Sequence, residues 1–311
     1  MSVTKYLITG GAGNIGSALA LELSKDTTNQ IVIVDNFLTG SMAKVPKRDN
    51  VTFIKANVNN YNDIVPIFGR FNFDYVFHFA AVVGVKRTLE HPMMVLEDIE
   101  GIKNILSLSK NSCVKRVFYS SSSEVYGEPF EIPQNEQTTP LNSRLPYAIV
   151  KNVGEAFFKS YYQEYGLEYT IFRFFNTYGP NQSEDFVVPK FLKAALKNEP
   201  IYIYGNGMQT RSFCFVDDNI ETCIKVLKDS NWHNEVINIG SDKEMTVLEL
   251  AKTIVKVSNS NSEIIHIPAL KEGDMARRCP DNSKMRALLG KELLSLEEGI
   301  SKLIKHYNEL I

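Results

Sequence analysis

The feature that most constrains this chain is an alternation along its first 175 residues. Short apolar, β-rich runs ("KYLIT", "IVIV", "VTFIKA", "YVFHFA", "RVFYS", "EYTIFRFFN") are separated by segments with helical spacing of apolar residues, such as "NIGSALALELSK", "VLEDIEGIKNILSLSK" and "YAIVKNVGEAFFKSYYQEYG". Strands that are apolar on both faces must be covered on both faces, which implies a parallel sheet between two helical layers. Right-handed crossovers then give a doubly wound α/β fold. After "FNTYGP" the texture changes: Gly, Pro and Asn become frequent, with short strand-like runs at "IYIYG" and "SFCFV". Helices are expected near 217–228, 246–257 and 296–309. The expected division is 1–175 for the doubly wound domain and 176–311 for a smaller α/β lobe. The two are partly interleaved, because the helix after "FVDDN" can pack back on the large sheet.

Bulk properties exclude several classes. A net charge of −2 supplies no global basic field for nucleic acid or an anionic membrane. No apolar stretch approaches the roughly 18 residues that span a bilayer, and no secretory leader pattern opens the sequence, so a cytoplasmic location is the expectation. Cys113, Cys214, Cys223 and Cys279 form no CxxC pair and no metal-binding spacing, so no metal is expected.

"LITGGAGNIGS" places Gly10, Gly13 and Gly16 at GxxGxxG spacing between the first strand and the first helix. A glycine turn lets backbone approach a pyrophosphate, and the free N–H groups of the helix start favour its negative charge. In a βαβ context this is a dinucleotide site and the fold is Rossmann-type. Asp35, about 20 residues further on at the end of the second strand, suits the two hydroxyls of an adenosine ribose. It would repel a 2′-phosphate, and no Arg directly follows, which favours NAD over NADP; the alternative is a strand-end cap. Asn57 and Val58, at the end of the third strand, are placed near adenine. Asn14, Ile15, Asn36, Ala80 and Ala81 complete the expected coenzyme set.

"PYAIVK" carries Tyr147 and Lys151 four apart at a helix start, hence on one face. An ammonium beside a phenol favours phenolate and is expected to lower the tyrosine pKa from about 10 toward neutrality. Such a tyrosine can take the proton of an alcohol while hydride leaves for nicotinamide.

Together with "HFAA", "SSSSEVYG", "RFFNTYGP", "VVPKF", "YGNGMQTRSFCFVDD" and "GDMARRCPDNSK", these motifs make the chain resemble the extended short-chain dehydrogenase/reductase family, in its nucleotide-sugar branch, nearly end to end. That branch includes UDP-glucose 4-epimerase, UDP-glucuronate decarboxylase and dTDP-glucose 4,6-dehydratase. The resemblance implies Tyr147 as base, Lys151 as partner of the nicotinamide ribose, and Ser122 bonding the hydroxyl at sugar carbon 4. It implies Ser123, Asn176, Val187 and Val188 as substrate contacts, with Arg211 and Arg278 on the diphosphate unless they are surface charges. It also implies a homodimer through the helix bearing Tyr147 and the preceding long helix. Lys86 and Arg87 sit in a loop that departs from the pattern and receive no role.

Branch members begin by oxidising carbon 4 and differ in the chemistry after that oxidation. Ser123 stands where the dehydratases carry Asp, which disfavours dehydration. Phe186 stands where the decarboxylases carry Arg before "VV", which disfavours decarboxylation. Two outcomes remain: 4-epimerisation, or net 4-oxidation with release of a keto sugar. Glu124, grouped with the catalytic residues, is open between spectator, hydrogen-bond partner to sugar hydroxyls, and enolising base. Arg144 is open between substrate and solvent. An NAD-binding protein without turnover is the reading from another class, and the intact Tyr147, Lys151 and Ser122 argue against it.

Overall fold

The computed structural model describes residues 3–268 and 277–309. The first four residues of "GDMARRCPDNSK", 273–276, lie outside the described residues. Six strands of the large sheet are β1 (Thr4–Thr9), β2 (Asn29–Asp35), β3 (Val51–Lys55), β4 (Tyr75–His78), β5 (Arg116–Ser122) and β6 (Glu168–Phe174). A seventh, Glu235–Ile239, pairs with β6, so the order across the sheet is β3-β2-β1-β4-β5-β6 and then Glu235–Ile239, all parallel.

Alternate residues of the strands feed two separate cores. Ile8, Ile33, Phe77, Phe118, Phe172 and Ile237 face one side, and Leu7, Val32, Val76, Val117 and Ile171 face the other. The first core is sealed by α1 (Asn14–Leu23) and the helix Val216–Lys228. The second is sealed by α2 (Tyr61–Phe71), the helix Asp98–Asn111 and the helix Pro146–Tyr165. Phe77 and Phe118 stack at 4.3 Å in the middle of the first. Arg116, 1% exposed, points its guanidinium at the carbonyls of Val226 and Leu227, at 3.1 and 2.5 Å. It thereby satisfies the C-terminal end of Val216–Lys228 and fixes that helix to the large sheet.

Residues past 175 thus contribute both to the large sheet and to the region beside it. That region holds three two-stranded pairings: Ile201–Tyr204 with Ile264–Ile267, Thr210–Ser212 with Glu244–Thr246, and Thr177–Tyr178 with Cys214–Phe215. The strand order reverses between β1 and β4, and such a switch point leaves a crevice outside the carboxyl ends of the strands.

Candidate active site

The glycine turn occupies that crevice. Gly10 has φ +66°, and a Cβ there would lie 2.7 Å from the Ala80 backbone nitrogen, so β1 and β4 approach closely only without one. A Cβ on Gly16 would collide with the Gly10 carbonyl, so α1 starts tight against the turn. The first amides of α1 have no carbonyl within their own helix and face the cavity through Asn14, Ile15 and Gly16. Asp35, 8% exposed, accepts from Ala12 N at 3.0 Å through Oδ2 and from Phe37 N at 2.8 Å through Oδ1. Its carboxylate is thus pinned at the cavity wall, with each oxygen keeping acceptor capacity. Asn36, Asn57, Val58, Ala80 and Ala81 line the same space. Sequence reasoning missed Lys44, which also lines it. Burial holds the Lys44 ammonium below its ordinary pKa, and Asp35 opposes that shift. This cradle fits a dinucleotide: open backbone donors at a helix start, and a fixed carboxylate one strand away.

Across the crevice the serine run meets the helix Pro146–Tyr165. Tyr147, Lys151 and Glu155 succeed one another at intervals of four and form one stripe of that helix. Lys151 Nζ donates to the Ser120 carbonyl at 2.6 Å. Ser121 Oγ donates to Glu155 Oε1 at 2.6 Å. Ser122 lies near enough to Tyr147 for its hydroxyl to favour the phenolate, and its Oγ accepts from Glu124 N at 3.2 Å, opening the short 3-10 turn Ser123–Tyr126. Gly154 lets the helix lie against the Tyr119 ring, where any Cβ would collide with the phenol.

The electrostatics correct one expectation. Tyr147 is pushed up, not down: burial is the largest cause, Glu124 adds to it, and the Ser122 hydroxyl opposes it. The Lys151 ammonium stands 5.7 Å from the Tyr147 ring and is spent on Ser120. Burial pulls Lys151 down to about 8, with Asp98 opposing.

Glu155 is also held by Arg173, from Nε at 2.8 Å and Nη2 at 2.7 Å, and both side chains are at most 2% exposed. Arg173 Nη1 continues to the Tyr126 hydroxyl at 2.8 Å, which donates to Asn238 Oδ1 at 2.8 Å. This buried chain binds the helix Pro146–Tyr165, β6, the 3-10 turn and Glu235–Ile239 into one unit. No sequence motif announced it.

The residues expected to contact substrate lie on the far wall of the same cavity, whose volume is about 1760 Å³, ample for two ligands side by side. Ser123, Asn176, Val187, Arg211 and Arg278 line it; Val188 does not, because its side chain packs into the core at 2% exposure. Asn176 Nδ2 donates to the Ser212 carbonyl at 3.0 Å, and Arg211 Nη1 to the Thr210 carbonyl at 2.7 Å. Arg211 and Arg278 are 9% and 7% exposed, so neither is a surface charge. Arg278 Nη1 pairs with Glu124 Oε1 at 2.9 Å, which gives Glu124 a defined partner. Arg144 is exposed and is not part of the wall. Phe186, weighed above in place of an arginine, lines the cavity, as do Lys190, Tyr202 and Tyr204, which were not expected there; Lys190 Nζ stands 5.7 Å from the Tyr204 ring. Alternation at "IYIY", with both isoleucines buried and both tyrosines exposed, was the available signal.

A doubly wound sheet with a glycine-turn crevice is the architecture of a dinucleotide-binding enzyme. The chain belongs to the NAD dependent epimerase/dehydratase family, whose model matches residues 6–240. It is 35% identical to the UDP-N-acetyl-alpha-D-glucosaminuronate decarboxylase of Bacillus cytotoxicus, over 98% of each chain. Among solved structures it resembles the UDP-glucose 4-epimerase of Thermotoga maritima with UDP-glucose, with TM-score 0.92, 30% identity and 99% of each chain covered. It also resembles the Thermus thermophilus UDP-glucose 4-epimerase in complex with NAD, with TM-score 0.91, 27% identity, and 99% and 100% covered. Among the described residues no helix is long and apolar enough to cross a membrane.

Proposed function

We propose that this protein oxidises carbon 4 of a nucleotide-diphosphate sugar with NAD and returns the hydride to the opposite face, as a 4-epimerase. The observation that carries this reading is the position of Ser122, Tyr147 and Lys151. They stand between a dinucleotide cradle and two buried arginines in one continuous cavity. Bound NAD would supply the hydride acceptor and a positive charge beside Tyr147, favouring the phenolate that burial opposes. Gly10, Gly13, Gly16 and Asp35 would hold it. Tyr147 removes the proton of the sugar hydroxyl while Ser122 holds that hydroxyl in line, and Arg211 and Arg278 suit the diphosphate as planar cations. The same groups serve the reverse transfer, so a keto sugar that turns over in the cavity leaves as the 4-epimer.

A second reading is decarboxylation of a uronate. Phe186 argues against it, but the Glu124–Arg278 pair sets a guanidinium near Tyr147, and the Bacillus cytotoxicus relative favours it. A net 4-dehydrogenase is a third. Incubation with a panel of UDP- and GDP-sugars, uronates included, separates the readings. A 4-epimer without accumulated NADH is the expected product. Carbon dioxide with a pentose product means decarboxylation, accumulating NADH means net oxidation, and no change with any sugar overturns all three. The exposed Ile149, Tyr162 and Tyr165 on the helix Pro146–Tyr165 suit a homodimer seam, which light scattering would test.

A further inference from the structure

Arg87, in the short helix Val85–Glu90 after β4, and Asp185, just ahead of the helix Val187–Leu196, lie 98 positions apart and form an ion pair, Nη2 to Oδ2 at 3.2 Å. Arg87 is held on its own side, where its Nη1 donates to the Val83 carbonyl at 2.6 Å. Gly84 makes room for the meeting. It has φ +102°, and a Cβ there would lie 3.1 Å from Arg87 Nη1 and 3.7 Å from Asp185 Oδ2. On the other side Ser183 turns the chain, its Oγ accepting from Asp185 N at 3.3 Å and its carbonyl from Phe186 N at 3.1 Å. Both segments line the cavity: Ala81, Val83 and Gly84 in the first, Ser183, Asp185 and Val187 in the second. The first runs on from the coenzyme wall and the second runs into the far wall, so the pair ties the two walls together. Its side chains are 26% and 49% exposed, so it stands at the solvent edge of the cavity, within reach of salt. An ion pair this exposed adds little to folding stability. Its place matters more, because the walls part there only if it breaks.

We propose that Arg87 and Asp185 form a clasp that sets whether an oxidised nucleotide sugar is kept for the return of hydride or lost. The assignment rests on the carbon 4 chemistry proposed above. Oxidation there moves hydride from carbon 4 to nicotinamide and the hydroxyl proton to Tyr147, which leaves a 4-keto sugar and NADH in the cavity. A keto sugar that escapes at this stage leaves NADH behind and ends the cycle. A closed clasp slows that escape, and an open one shifts the outcome from 4-epimer toward released keto sugar. The pair thus sets the partition between two outcomes that Ser122, Tyr147 and Lys151 serve equally.

Asp185→Asn is the first variant, because it removes the charge and leaves Arg87 on Val83; Arg87→Met is the second. The probes are UDP and GDP, whose dissociation from the NAD-loaded protein is followed by surface plasmon resonance. Each variant is expected to release the bound nucleotide about two- to fivefold faster than the unaltered protein, the factor that an exposed ion pair can hold back. The double variant should release it no faster than either single variant, and the gap should close at about 1 M salt. With a sugar that is turned over, both variants should accumulate more NADH per 4-epimer formed. Unchanged release in both variants, whatever happens to Tm, would show a merely structural pair and overturn the proposal, and so would an additive effect in the double variant. Faster release in a protein that oxidises no nucleotide sugar would instead overturn the functional reading and leave the clasp standing as a gate on the nucleotide. Binding of neither probe would overturn both.

Discussion

Replacing Glu155 with Gln probes how the site is held. The Glu155 carboxylate accepts from Ser121 Oγ and from Arg173 Nε and Nη2, at 2.6, 2.8 and 2.7 Å, and is 1% exposed. Glutamine keeps the shape but removes the charge and turns one oxygen into a donor that faces guanidinium N–H groups. The Arg173 cation is then left in a site with almost no water. Stranding one partner of such a pair costs about 3–5 kcal/mol. An unfolding entropy of about 2.1 cal/mol/K per residue over 311 residues gives about 0.65 kcal/mol/K, so Tm should fall by about 5–8 °C. Calorimetry checks this directly. Arg173→Met should fall by a similar amount, and the double variant Glu155→Met with Arg173→Met by clearly less than the sum, since neither charge is then unpaired. A fall of under about 1 °C for Glu155→Gln, or strict additivity in the double variant, would refute the reasoning.

Tyr147→Phe should abolish hydride transfer while NAD still binds; wild-type turnover measured by product NMR would sink the base assignment. Asp35→Ala should weaken NAD and relax the bias against NADP, checked by calorimetric titration with both coenzymes, and an unchanged NAD affinity would count against the ribose contact. His78 is buried, bonded to Thr9 Oγ1 at 2.9 Å and held neutral at a pKa of about 3. Its depressed pKa means the stability is full above the unfolded value of about 6.5 and is lost as pH falls toward 3, at up to about 1.4 kcal/mol per pH unit. His78→Gln should flatten that part of the Tm–pH curve; an identical slope would contradict it. Turnover should decline above about pH 8 as Lys151 loses its proton, and a profile flat through that range would argue against a required ammonium.

Period and glycine spacing made six strands of the large sheet and its coenzyme crevice legible, because both arise from local chain geometry. The seventh strand was not: "EVINI" is short and carries a buried Asn238 whose role lies in Tyr126 and in the carbonyl of Gln134, over a hundred positions away. The helix Tyr61–Phe71 was obscured by Pro66 inside it, although Asn60 caps its start. Tyr147, Lys151 and Ser122 could be aligned by counting, but the direction of the Tyr147 shift could not. That direction depends on burial and on the distant Arg278–Glu124 pair, neither of which spacing encodes. Lys44 escaped because only the residues directly after Asp35 were weighed. Arg173 and Glu155 read as an ordinary strand and an ordinary helix residue, since their meaning arises only when β5, β6 and the helix meet.

The serine run has a consequence for how substitutions there would be tolerated. Identical letters in a row suggest interchangeable residues, yet the first three of the four serines each face a different turn of one helix. Ser120 serves Lys151 chiefly through its main-chain oxygen, with its hydroxyl at 3.4 Å. Ser121 serves Glu155 through its hydroxyl, and the Ser122 hydroxyl lies near the Tyr147 phenol and favours its ionised form. Position 120 therefore has latitude for another small side chain, position 121 is tied to the integrity of the scaffold, and position 122 to the proposed chemistry. Inserting or deleting a single serine would hand every partner to its neighbour, so the length of the run matters more than its composition suggests.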